Sequence, residues 1–276
     1  MADWALPFNI SKYVFSGLLS ISSGTSAHTK GAYTELVAST AYPISEIIFM
    51  DHGAMTYDAD FLLDIAVGAA GAESIIIADL LVTLRPYATV FYSSLERYAF
   101  PVSVPPGTRI SIRCQSTYAG ANSHACAWGY GISGSIFSGV PPLSKVLTAG
   151  QVVADTGGTS VDPGASTGTK GAYSELSSAI PATISCFYVA IGNQGNTART
   201  TASWNVDIAV GAAGAEVVIV ADTLLRCRDT IDHVIPKLLG PFHIRIPAGT
   251  RVSIRADCST ADATDRLFDA IFYGVY

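Results

Sequence analysis

The carboxylates best placed to do chemistry are Asp64, Glu73, Asp207 and Glu216. Glycoside hydrolysis needs two carboxyl groups about 5–10 Å apart across a cleft, one donating a proton and one acting as base or nucleophile. These four residues come as two pairs of one kind. Asp64–Glu73 reads DIAVGAAGAE, and Asp207–Glu216 reads the same letters again. A position duplicated together with all its surroundings more simply serves a duplicated fold than an active site. Arg109, Arg113, Arg251 and Arg255 are duplicated too, inside Arg109–Arg113 and Arg251–Arg255. Carboxylate–arginine pairs between neighbouring strands account for both sets, so no catalytic residue is assigned.

Other reactive groups do not form a recognised constellation. The histidines are His28, His52, His124, His233 and His243, and no two of them make an H-x-x-x-H pair. His124 and Cys126 place two ligand types close together, but a structural zinc needs four ligands in recognisable spacing. Asp51-His52 has two members of a hydrolase triad, and no Gly-x-Ser-x-Gly elbow supplies the nucleophile. The Gly68-Ala69-Ala70-Gly71 turn is followed by Ser74-Ile75-Ile76-Ile77. A phosphate-cradling loop would need a helix there and usually a lysine. No metal and no cofactor is expected. The five cysteines are too few and too irregular for a disulfide framework. Cys114 and Cys126 could flank one hairpin, and buried free thiols are the plainer reading.

The elements that position these residues are themselves duplicated, which is the signature of a repeat. Thr29–Leu36 reads TKGAYTEL and Thr169–Leu176 reads TKGAYSEL. Apolar strands are expected over Ile44–Met50 and Ile184–Ile191, then the two DIAVGAAGAE hairpins, whose glycines can take the positive φ of a tight bend. Phe100–Pro105 matches Phe242–Pro247, and the 106–109 turn matches that of 248–251. Arg109–Arg113 and Arg251–Arg255 alternate apolar and polar residues, as on a half-wet antiparallel strand. Each half closes on an aromatic strand, Trp128–Ile132 and Phe272–Tyr276. Two excursions, Leu84–Tyr98 and Arg226–Leu239, share little sequence, and variable loops on a repeated scaffold are where partner contacts collect. The pattern predicts an all-β chain: two tandem antiparallel β-sandwich domains of jelly-roll type, from an internal duplication. Residues 1–20 are expected as an N-terminal arm, 21–140 as the first sandwich and 141–276 as the second. The two domains should superpose, and Gly71 and Gly214 should share backbone angles.

Composition bounds the partners. The chain has 276 residues, enough for two cores, and only 14% of them are charged, which points to surface covered by other proteins. A net charge of −6 argues against nucleic-acid binding. No apolar run reaches the ~20 residues of a membrane helix, and the start of the chain does not read as a signal peptide. The 13 tyrosines, 11 phenylalanines and 3 tryptophans are read as core and interface rather than sugar platforms. Trp4, Leu6, Phe8, Ile10, Tyr13, Val14 and Phe15 make the arm apolar enough to pack on its own domain, a sibling chain or a larger particle.

The hairpin DIAVGAAGAE with its following apolar strand, and then a Gly-Thr-Arg-[Ile/Val]-Ser-Ile-Arg strand, resembles the β-sandwich structural proteins of tailed bacteriophage virions. The resembling blocks are 64–81 with 104–116, and 207–225 with 246–260. What the resemblance implies is a non-enzymatic decoration, collar, neck or tail-associated protein. It would act through contacts with copies of itself and with capsid or tail proteins, in a virion assembled in the host cytoplasm. The alternative from another class is a receptor- or carbohydrate-binding module of a tail fibre, contacting a host surface glycan.

Overall fold

A computed structural model describes residues 10–15, 19–51, 59–84, 97–132, 145–193, 202–227, 237–260 and 267–276. All regular structure among them is strand. The first half holds β1 (Ile10–Phe15), β2 (Leu19–Ser22), β3 (Thr34–Val37), β4 (Glu46–Asp51), β5 (Ala59–Val67), β6 (Ser74–Leu84), β7 (Arg97–Phe100), β8 (Ile110–Ser116) and β9 (Asn122–Ile132). The second holds β10 (Val146–Ala149), β11 (Gln151–Val152), β12 (Gly157–Val161), β13 (Ser174–Ser177), β14 (Cys186–Asn193), β15 (Ala202–Val210), β16 (Val217–Cys227), β17 (Lys237–Phe242), β18 (Val252–Cys258) and β19 (Phe268–Val275).

Each half is a two-sheet sandwich with the strand order of a jelly roll. In the first, one sheet runs β1-β9-β4-β7 with β2 also on β9, and the other runs β3-β8-β5-β6. In the second the orders are β11-β12-β19-β14-β17, with β10 also on β19, and β13-β18-β15-β16. Every ladder is antiparallel. The all-β duplicated sandwich read from the sequence is the fold. Alternation fills each core: Phe187, Val189 and Ile191 of β14 meet Trp204, Val206 and Ile208 of β15, all buried. The glycines of the repeated turns match as expected, with φ of 81° at Gly71 and 80° at Gly214.

The arm expected over residues 1–20 needs correction where it is described. β1 and β2 are paired with β9 inside the first sheet, and β10 and β12 stand in the same relation to β19. Backbone donors and acceptors of an apolar segment gain partners by joining a sheet edge, so the segment enters the sandwich. Residues 1–9 lie outside the described residues. The two variable excursions are also shorter than expected: β6 runs to Leu84 and β16 to Cys227, while 85–96 and 228–236 lie outside the described residues.

The two sandwiches join edge to face. Strands β6 and β7 form one open edge of the first sandwich. That edge rests on the outer face of β14 and β19, where Cys186, Tyr188, Ala190, Ile271, Tyr273 and Val275 share one buried apolar cluster with Leu81 and Phe100. The Phe100 ring packs edge-on against Tyr188 and Tyr273, with centroids 5.0 and 5.9 Å away. Tyr273 Oη donates to the Asp79 carbonyl at 2.8 Å and accepts from the Leu81 N–H at 2.9 Å. Thr148 Oγ1 donates to the Ala78 carbonyl at 2.7 Å. Side-chain hydroxyls of the second sandwich thus satisfy the free backbone groups of an edge strand of the first. Beside this, Gln115 Nε2 donates to the Val153 carbonyl at 2.7 Å, and His28 Nδ1 meets Thr156 Oγ1 at 2.9 Å.

The repeated Lys-Gly-Ala-Tyr segment is pinned by close backbone approach. A Cβ on Gly31 would run into the Ser22 carbonyl oxygen, and one on Gly171 into that of Asp162. Gly71, by contrast, has open space around it and only its φ to object. Gly31→Ala should therefore cost about 1–3 kcal/mol by overpacking, and Gly71→Ala about 1 kcal/mol by strain. Urea unfolding of the two variants checks the ranking, and a larger loss for Gly71→Ala would contradict it.

Candidate functional site

The duplicated polar residues converge on the sheet that carries the repeated hairpin. In β5 and β6, Leu63 pairs with Leu80 and Ile65 with Ile77, so Asp64 alone stands opposite Ala78 and Asp79. This is a β-bulge, one residue facing two. Asp79 takes φ 51° there, a left-handed conformation that Asp tolerates better than most residues. Asp64 Oδ1 accepts the Asp79 N–H at 3.0 Å and so closes the bulge.

Three further strands contribute to the same carboxylate. Lys30, just ahead of β3, places Nζ 2.8 Å from Asp64 Oδ1 and 2.7 Å from Asp79 Oδ1, and donates to the Leu62 carbonyl at 3.1 Å. Arg113 of β8 donates from Nε to Asp64 Oδ2 at 2.8 Å, and its guanidinium lies 4.6 Å over the Tyr33 ring. One turn away, Arg109 bridges Glu35 and Glu73 at 2.9 and 3.0 Å and reaches the Gly68 carbonyl at 3.3 Å, clamping the hairpin turn.

The second half repeats this atom for atom. Asp207 accepts from the Asp222 N–H at 3.0 Å, from Lys170 at 3.0 Å and from Arg255 at 2.9 Å. Arg255 covers Tyr173 at 4.5 Å, and Arg251 bridges Glu175 and Glu216 at 2.7 and 2.9 Å. The cluster is larger here, because Lys170 also lies 3.4 Å from Asp257, which accepts from Asn205 Nδ2 at 3.0 Å. Gln115 and Leu62 stand at those two positions in the first half.

The electrostatics suit clamps. Burial pushes the Asp207 carboxyl up, but the Asp222 N–H, Lys170 and Arg255 outweigh it and hold the group below its usual range. Glu73 is held low as well: burial raises it, and its own N–H, Arg109 and the Gly71 N–H more than offset that. For Glu216 the leading cause is its own backbone N–H, with Arg251 adding to it. A glycosidase acid needs a carboxyl pushed the other way, so that it still holds its proton at neutral pH. What this arrangement can do is fix strand register: one buried carboxylate ties β3, β5, β6 and β8 together.

The remaining sequence candidates do not gather. His28 lies at the junction of the sandwiches and His243 is exposed. His124 and Cys126 sit in β9, whose side chains there are outside the described residues, as are His52 and His233. Cys114, Cys186 and Cys258 are buried free thiols. Among the described residues no group of three or more His, Cys, Asp or Glu could hold a metal ion. Sequence reasoning paired the arginines with the carboxylates, and that pairing is present. It missed Lys30, Lys170, Asp79 and Asp222. Their signal was available: a lysine inside a repeated Gly-Ala-Tyr block, and a charged residue interrupting a repeated β-branched run.

No protein-family model matches the chain, and no curated protein matches it. Among solved structures, the chain is similar to the N-terminal tandem CBM22-1–CBM22-2 domain of Xyn10C from Paenibacillus barcinonensis, at 10% identity and a TM-score of 0.25. The likeness covers 96% of this chain and 93% of that one.

Proposed function

We propose that this protein is a non-enzymatic structural component of a tailed-phage virion, a decoration, collar or tail-associated protein that works through protein–protein contacts. The observation that supports this reading is the join between its two sandwiches. The open β6–β7 edge is seated on an apolar sheet face, and hydroxyls of that face satisfy its backbone, so the fold already uses its edges and faces as docking surfaces. The engagement of Asp64, Asp207, Glu73 and Glu216 by Lys30, Lys170 and four arginines fits a scaffold role for the residues that could otherwise have been reactive. The virion setting rests on the sequence resemblance alone.

The test has two arms. Purified protein is offered to phage particles that lack it, and bound copies are located by cryo-electron microscopy. The same protein is run on a glycan array. Binding at a defined particle site, with no glycan bound, is the expected result. Specific glycan binding without particle binding would replace this reading by the receptor-binding one.

A further inference from the structure

The two sandwiches present the same edge, yet only one of them is covered. In the first, Leu81 on β6 is 2% exposed, buried on the β14–β19 face. Its repeat equivalent on β16, Leu224, is 61% exposed. The neighbouring acid shows the same contrast: the Asp79 side chain keeps 12% of its surface in water and that of Asp222 keeps 69%. Ala221, which matches Ala78, is exposed too, and Val217 at the start of the strand is 62% exposed. Two large apolar side chains on an edge strand are a liability unless something pairs with or covers that edge.

The covered edge shows what shape the cover takes. It is the outer face of the β10–β19–β14 sheet, and this chain contains a second face of the same construction, that of β1–β9–β4. The register is equivalent: Tyr188 pairs with Tyr273 in one sheet, and Ile48 pairs with Trp128 in the other. Trp128 thus stands at the register position of Tyr273, whose hydroxyl serves the β6 edge. A tryptophan there supplies one N–H donor, matching the hydroxyl's donation to the Asp79 carbonyl and directed in this case at Asp222. Ile48 is already buried within its own chain, so β9 and β1 would carry the contact.

We propose that the β16–β17 edge of one chain docks on the outer β1–β9–β4 face of a second copy, repeating between chains the contact made within each chain by β6–β7 on β14–β19. The occupant is a second copy because the edge is built to a pattern whose complementary face this same sequence supplies. The contact is heterologous, so it propagates head to tail, closing into a ring or continuing as a filament according to the rotation per step. It goes beyond the virion reading and holds whether or not the protein sits on a particle.

The experiment uses the full chain. A photo-cross-linking amino acid replaces Leu224, mixed isotope-labelled and unlabelled chains distinguish inter- from intramolecular products, and light scattering follows mass against concentration. The expected result is concentration-dependent association, with inter-chain cross-links to β9 or β1. Leu224→Glu should weaken association about tenfold or more while leaving the unfolding midpoint unchanged, since the side chain is exposed. A chain that stays monomeric at all concentrations, association indifferent to Leu224→Glu, or cross-links directed to any other strands would each overturn the proposal.

Discussion

Asp207→Asn is expected to destabilise the second sandwich by about 2–4 kcal/mol, and Asp64→Asn the first by a similar amount. Each aspartate is almost fully buried and holds a lysine, an arginine and the N–H of a bulge. Removing one partner of a buried ion pair costs about 3–5 kcal/mol. The figure is lower here because Lys170 and Arg255 keep 19% and 30% of their side-chain surface in water and are partly rehydrated. The effect also has a pH signature. The folded-state pKa of Asp207 lies below its ordinary value of 3.8. A depressed carboxylate contributes stability above its unfolded pKa, and that contribution is lost as pH falls through the folded pKa. The native protein should therefore lose stability below about pH 4, and Asp207→Asn should flatten that acid limb. Urea titrations read by the fluorescence of Trp204, in the core of the same sandwich, measure both quantities. Neither protein should hydrolyse glycans. Turnover by the native chain that vanishes in Asp207→Asn would assign the carboxylate to chemistry instead.

Tyr273→Phe is expected to loosen the join between the sandwiches by about 2–4 kcal/mol. The ring stays, with its packing on Phe100, but the Leu81 N–H and the Asp79 carbonyl both lose their partner in a buried setting. Each orphaned group costs about 1–3 kcal/mol. Burial, the leading cause, pushes the Tyr273 hydroxyl well above its ordinary pKa, so it keeps the proton it donates. Hydrogen exchange at the Leu81 amide should accelerate in the variant, and calorimetry should resolve one unfolding transition into two. A Leu81 amide that stays as protected as in the native chain would show that the packed rings hold the join without the hydroxyl.

What was legible in the sequence followed from repetition. Identical turns fixed where the two halves correspond, and the period-two pattern around Arg113 and Arg255 marked antiparallel strands. The matching of Arg109 to Glu73 and Arg113 to Asp64 could be inferred because both sets were duplicated. The bulge could not. Asp79 and Asp222 sit in runs that read as continuous strand, and only the pairing shows that one residue faces two. The join was equally hidden. Tyr188 and Tyr273 alternate out of the core and so read as solvent-facing, yet they are buried by an edge that lies far away in the chain. The start of the chain misled for a related reason: an apolar segment outside the obvious repeat is as well explained by a sheet edge as by an arm.

The order in which strands are made gives the edge-to-face join a temporal meaning. The first sandwich is complete once β9 has been synthesised, but the face that covers its β6 edge needs β19, the last strand made of the second. At ordinary elongation rates of about 5–20 residues per second, the interval is roughly 10–30 s. Through that interval Leu81 waits on an uncovered edge while the nascent chain supplies β15 and β16, which carry the same DIAVGAAGAE hairpin as β5 and β6. Strand exchange between the twin hairpins is then the misfolding route nearest to hand. On neighbouring ribosomes reading one message, an open β6 edge and a freshly finished β14–β19 face from another chain can also meet before either finds its own.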